Sequence, residues 1–169
     1  MDAAELRALQ APIKEGYREN PASARIPAHA EARLGDGVSC AVGGWTGETV
    51  AGLHPAAGGD GSQACSADML LEALVACAGV TLNSVATAMG VELRDAVVRA
   101  EGHWDARGTL GVSKEVPIGL TDIGLTFELD TDADEKTKTR LVELTERYCV
   151  ILQTLKAPPE IAWKIEPSG

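Results

Sequence analysis

The sequence predicts an α+β fold in which antiparallel strands wrap around one long, enclosed helix, with a second copy of the chain completing the enclosure. Three observations predict it. Residues Ser66 to Met89, SADMLLEALVACAGVTLNSVATAM, carry no charge between Ala73 and Leu82 and place apolar residues on nearly every side of a helical wheel, the pattern of a helix surrounded by protein. The segments around it alternate with period two and run in the order strands, helix, hairpin, helix, strand, which is not an alternating βαβ order. One sheet can cover only one side of such a helix, so a homodimer with the two helices near its centre is the economical arrangement.

The elements follow in chain order. Leu6, Leu9, Ile13 and Tyr17 recur at helical spacing, predicting an amphipathic arm over residues 1–24, with Pro12 an irregularity or a break and Asn20-Pro21 its end. A single domain is expected over residues 25–169. From Arg25 to Leu53 short β-type runs punctuated by glycines predict two or three antiparallel strands. The loop HPAAGGDGSQ (54–63) leads into the central helix; without the Lys-Ser/Thr ending of a phosphate-binding loop, its glycines are read as turn geometry. Ser66 suits the N-cap, Asp68 suits the positive end of the helix dipole, and Gly90 is a natural stop.

After Gly90, Val98, Ala100, Gly102 and Trp104 share one face of a strand and Arg99, Glu101 and His103 the other. A second strand over Val116 to Asp130 changes parity between Leu120 and Ile123, predicting a bulge near Thr121 and Asp122 and, with the first, a hairpin. Asp132 and Glu135 have the spacing of a capping box for a helix running up to Cys149. Beyond Pro158-Pro159, Ile161, Trp163 and Ile165 alternate as a strand that closes a sheet, with Trp104 and Trp163 expected in the core.

Composition limits the function. A net charge of −10 argues against nucleic acid, which needs clustered Lys and Arg. The opening MDAAELRALQ lacks a basic region followed by an apolar run, and Glu72, Asn83 and Ser84 interrupt the central apolar run before membrane-spanning length. A cytoplasmic protein without nucleic-acid or membrane partners is expected. Cys40, Cys65, Cys77 and Cys149 include no CxxC pair and no zinc-type spacing, so they are either buried small hydrophobes or redox-active thiols.

Four stretches then fall into a known pattern: LLEALVACAGVTL around Cys77, VRAEGHWDARGTLGV after it, RYCVILQTL around Cys149, and EIAWKIEP at the end. Over roughly Arg25 to Pro167 the chain resembles the OsmC/Ohr family of thiol-dependent hydroperoxide reductases. The resemblance implies an intertwined α+β homodimer with active sites at the subunit interface. It implies Cys77 as the peroxide-attacking cysteine, Cys149 as the resolving one, an organic hydroperoxide as substrate, an external dithiol as reductant and no cofactor. It further implies an arginine from the early strands and a glutamate at the start of the central helix. Arg33 is the better match for the arginine, with Arg25 its competitor. The glutamate position holds Ala67, leaving Asp68, about 100° further round the helix, to substitute, with Glu72 as the fallback. Val150 stands where the family often has proline. Cys40 and Cys65 have no family counterpart, and Cys65 is either an alternative resolving thiol or a packed, inert one. Two other readings of the same fold are a binding protein for a lipid-like small molecule and a cysteine redox sensor.

Overall fold

The computed structural model describes residues 1–45 and 47–167. It is a mixed α+β structure with two separate antiparallel sheets. Helix α1 (Ala3–Glu19) begins in a capping box, Asp2 accepting from the Glu5 amide while the Glu5 carboxylate accepts from the Asp2 amide. Pro12 does not break it: α1 runs straight past, because the helix is solvated and the carbonyl freed by the missing proline N–H can bond water. Strands β1 (Glu31–Leu34), β2 (Cys40–Gly44) and β3 (Gly47–Ala51) form a three-stranded meander in the order β1-β2-β3.

Helix α2 spans Ser66–Met89, the full predicted run. Its N-cap is Cys65, however, and Ser66 is already helical; no side chain caps this end. Gly90 ends it in the left-handed conformation at φ 69°, where a Cβ would be strained. Strands β4 (Asp95–His103) and β5 (Thr121–Asp130) pair antiparallel. Their register shifts between Glu101 and His103, opposite Asp122, the single non-glycine residue with positive φ among the described residues. The expected bulge therefore exists, but residues 112–120 ahead of it are not a strand. A short helix, α3 (Ala106–Thr109), starts the connection.

Helix α4 (Glu135–Tyr148) is capped by Asp134, whose carboxylate accepts from the Thr137 amide, and not by Asp132. Asp132 pairs with Arg94 at 2.7 Å instead, and a carboxylate held there is unavailable to the helix. Helix α5 (Val150–Lys156) follows, an element the sequence did not signal.

The core lies along one side of α2. Leu74, Ala78, Leu82, Val85 and Ala86, spaced three and four apart, are its buried residues. Leu82, Val85 and Ala86 meet Leu141 of α4, and Leu74 and Ala78 meet Cys149, while Val98 and Phe127 of the hairpin touch both groups. The helix is long and apolar enough to cross a membrane by length and composition, yet this face packs on α4, α5 and β4 of its own chain. The opposite side is open: Ala73 and Ala76 are exposed and Val80 is 74% exposed. One chain thus half-encloses the helix.

The expected closing strand does not form. Residues 158–167 pair with nothing among the described residues, and Trp163, expected in the core, is 83% exposed. The alternation of Ile161, Trp163 and Ile165 marks a segment fit for a sheet, but a strand needs an edge, and no edge of this chain reaches it.

Candidate active site

Cys77 lies in the fourth turn of α2, flanked by the buried Leu74 and Ala78. Cys149 is fully buried against that same face. What places it there is the junction of α4 and α5. Its N–H donates to the Thr145 carbonyl at 2.9 Å as the last bond of α4, and its carbonyl accepts from Gln153 at 3.0 Å as the first bond of α5. Between these bonds its ψ of 106° leaves the helical region, so the chain turns and starts afresh. The first N–H groups of a helix have no acceptor within it. Those of Val150 and Ile151 lie near enough to the Cys77 sulfur to favour its anion.

The two thiols are driven in opposite directions. Burial alone would push the Cys77 thiol up. It is overcome by the backbone N–H groups of Ile151 and Val150, the Cys149 thiol and the Thr81 hydroxyl, which together hold Cys77 below the ordinary thiol range. Burial also pushes Cys149 up. The amides of Leu152 and Ile151 oppose it, but the neighbouring Cys77, as hydrogen-bond partner and as developing anion, leaves Cys149 raised. One thiol is set to ionise and the other to keep its proton. A thiolate beside a neutral thiol can attack an electrophile, and the second sulfur can then attack the first.

The remaining predicted residues lie elsewhere in the chain. Arg33 is on β1, exposed and paired with Glu31 at 2.9 Å. Arg25 is an exposed residue following a 3-10 turn over Pro21–Ala24. Asp68 sits in the first turn of α2, nine residues before Cys77, which is roughly 13 Å of helix rise and half a revolution away. It and Glu72 face the groove between α2 and β4, beside Arg99 and Glu101. Within one chain, Cys77 and Cys149 meet, whereas Arg33 and Asp68 are apart from them. Cys65 precedes Cys77 by twelve residues, roughly 18 Å along α2, too far for it to reach that sulfur in the same chain. Cys40 is half-buried at the start of β2, opposite Ala51.

Two features escaped the sequence reading. Thr81 stands one turn beyond Cys77, and the i to i+4 spacing was the available signal. The amides of Val150 and Ile151 bear no side-chain signature; only the helix break at Cys149 frees them. Among the described residues, no group of three or more His, Cys, Asp or Glu is placed to hold a metal ion.

Comparison with known proteins identifies the family and the fold. A family model described as OsmC-like protein matches residues 59–164, which include both thiols. No curated protein matches the sequence. Among solved structures, the chain is similar to an OsmC-like protein from Mycoplasma pneumoniae, with a TM-score of 0.67 and 19% identity over 79% of this chain and 89% of that one. It is similar to an organic hydroperoxide resistance protein OsmC from Legionella pneumophila, with a TM-score of 0.61 and 17% identity over 79% and 92% of the two chains. A third is the organic hydroperoxide resistance protein OhrB of Bacillus subtilis, with a TM-score of 0.55 and 19% identity over 79% and 93%. At such identities the likeness is one of fold.

Proposed function

The chain belongs to the OsmC-like family, and from that membership and the paired thiols we propose that it is a thiol-dependent peroxidase that reduces organic hydroperoxides to alcohols. The observation that supports this most is the packing of Cys77 of α2 against the wholly buried Cys149 at the α4–α5 junction, where their surroundings favour ionisation of the first thiol over the second. In this reading the Cys77 thiolate attacks the terminal oxygen of the hydroperoxide and the O–O bond breaks. The alkoxide leaves, takes up a proton and becomes the alcohol, and Cys77 becomes a sulfenic acid. Cys149 then attacks the Cys77 sulfur; an S–S bond forms and the hydroxyl departs as water. An external dithiol restores both thiols by exchange. The apolar surroundings of the pair, Leu71, Leu74, Ile151 and Leu155 among them, favour an organic peroxide over strongly hydrated hydrogen peroxide.

The active unit is a homodimer. The bare side of α2 and the unpaired segment 158–167 support this, since both are apolar surfaces made for cover. Arg33 and Asp68, apart from Cys77 in their own chain, act on the thiolate of the second copy.

The test is consumption of cumene hydroperoxide and hydrogen peroxide under excess dithiol by the intact protein, Cys77→Ser and Cys149→Ser. Fast turnover of the organic peroxide is expected, lost in Cys77→Ser and halted at the sulfenic acid in Cys149→Ser. Equal, slow consumption by all three would reject the peroxidase.

A further inference from the structure

Where α4 stops and α5 begins, one backbone carbonyl changes its donor. In a continuous helix the Val150 N–H would donate to the carbonyl of Glu146, one turn back. The last bond of α4 is instead that of the Cys149 N–H to Thr145, and among the described residues the Val150 N–H makes no bond to a backbone carbonyl. A side chain takes the vacated acceptor. Gln153, within α5, donates its Nε2 to the Glu146 carbonyl at 2.8 Å. The backbone N–H of the same residue donates to the Cys149 carbonyl at 3.0 Å. Gln153 thus ties α5 to α4 on both sides of the break.

This substitution bears on the thiols. A carbonyl stripped of its helical donor seeks another, and the helix would supply the Val150 N–H. Regaining that bond would require Cys149 to leave its extended ψ of 106°, extending α4 through the residue that carries the second sulfur. With Gln153 on the carbonyl, that gain is removed, and the Val150 N–H stays near Cys77. The Glu146 carboxylate pairs with Lys156 of α5, but an ion pair between half-exposed side chains adds little and occupies no backbone acceptor. Gln153 is exposed and takes no part in the apolar cluster around the cysteines, so core packing does not account for it.

We propose that Gln153 is a positioning residue for the thiol pair: its side-chain amide replaces the Val150 N–H on the Glu146 carbonyl, keeps the helix broken at Cys149, and leaves that N–H to the Cys77 sulfur. It acts through Val150 and Cys149 and not on substrate. The charged groups at the break are Glu146, Lys156 and Arg147, the last stacked on Tyr148, while the cysteines face each other among apolar residues of α2, α5 and the hairpin. The role deepens the peroxidase reading and rests on it for its purpose, a first thiol ready to attack.

The test reads Cys77 without peroxide. In full-length protein carrying Cys40→Ser and Cys65→Ser, alkylation by iodoacetamide is followed at the Cys77 peptide by mass spectrometry as a function of pH. Gln153→Met keeps the length of the side chain and removes its donor. Val150→Pro removes the N–H and keeps the break, because proline suits the first position of a helix and Cys149 before it is already extended. Each is expected to move the profile to higher pH, with several-fold slower alkylation at neutrality, since the thiolate is the reactive form. Once Val150 is proline there is no N–H for Gln153 to release, so adding Gln153→Met is expected to shift the profile no further. The proposal is overturned if either single variant leaves the profile in place, or if Gln153→Met moves it equally in both backgrounds, as a residue that merely steadies α5 would. Failure of the intact protein to consume peroxide would reject the peroxidase and leave the outcome of this cycle standing.

Discussion

Thr81 lies one turn of α2 beyond Cys77, and its hydroxyl is one of four polar groups that hold the Cys77 thiol below its ordinary acidity range. The remaining three all come from the junction of α4 and α5, so Thr81 is the sole contribution from the thiol's own helix. Thr81→Val keeps the shape and removes the donor. The alkylation rate of Cys77 against pH is expected to shift to higher pH, with a several-fold slower reaction at neutrality, and Thr81→Ser is expected to restore it. A thiolate is the reactive form, so a raised pKa empties it at any pH below the midpoint. An unchanged profile would remove Thr81 from the site.

Leu141 is wholly buried where α4 meets Leu82, Val85 and Ala86. Leu141→Ala is expected to cost about 2–5 kcal/mol through lost burial and the cavity left behind. Urea unfolding followed by circular dichroism measures it, with an unchanged slope showing that the folded state is otherwise intact.

Asp105 accepts from the Arg107 guanidinium and the Arg107 amide at the start of α3, and these hold its carboxyl down to about 2. The sign follows from the direction. A depressed folded pKa means the contribution is complete above the unfolded value, near 4, and is lost as the pH falls toward the folded one. Intact protein is therefore expected to melt above Asp105→Asn at neutral pH, with the gap closing in acid. A gap that widened on acidification would contradict the pairing.

Ile161, Trp163 and Ile165 are 83–90% exposed in the single chain, and the proposed homodimer covers them. Trp163→Asp puts a charge into that contact. Sedimentation at micromolar concentration is expected to show a dimer for the intact protein and a shift to monomer for the variant, with peroxidase turnover falling in parallel. A monomeric intact protein would count against the dimer and against any action of Arg33 across it.

Much of this fold is legible in the sequence. The bounds of α2 followed from an uncharged apolar run ended by Gly90, and the inward parity of Ile123, Leu125, Phe127 and Leu129 followed from alternation; both periodicities depend on burial alone. Other features obeyed longer-range rules. Asp132 has the right spacing for a cap but is claimed by Arg94, nearly forty residues upstream. Segment 158–167 has a strand's pattern without an edge to join. Helix α5 begins at an ordinary cysteine, with neither proline nor glycine to announce the break. Cys77 and Cys149 stand in the sequence as two cysteines, but the lowering at Cys77 comes largely from amides that have no letter in the sequence, and the rise at Cys149 from burial and the neighbouring sulfur.

One consequence of the α4–α5 junction concerns how the site can be altered. Three consecutive residues provide the second sulfur and two of the donors that acidify the first. Nucleophile strength and resolution are therefore mechanically linked: any backbone shift that moves Cys149 toward or away from Cys77 carries the Val150 and Ile151 amides with it. A variant whose first thiol is made more reactive through this segment would also inherit a different rate of disulfide closure, and Thr81 on α2 is the handle that changes the first property without moving the second sulfur.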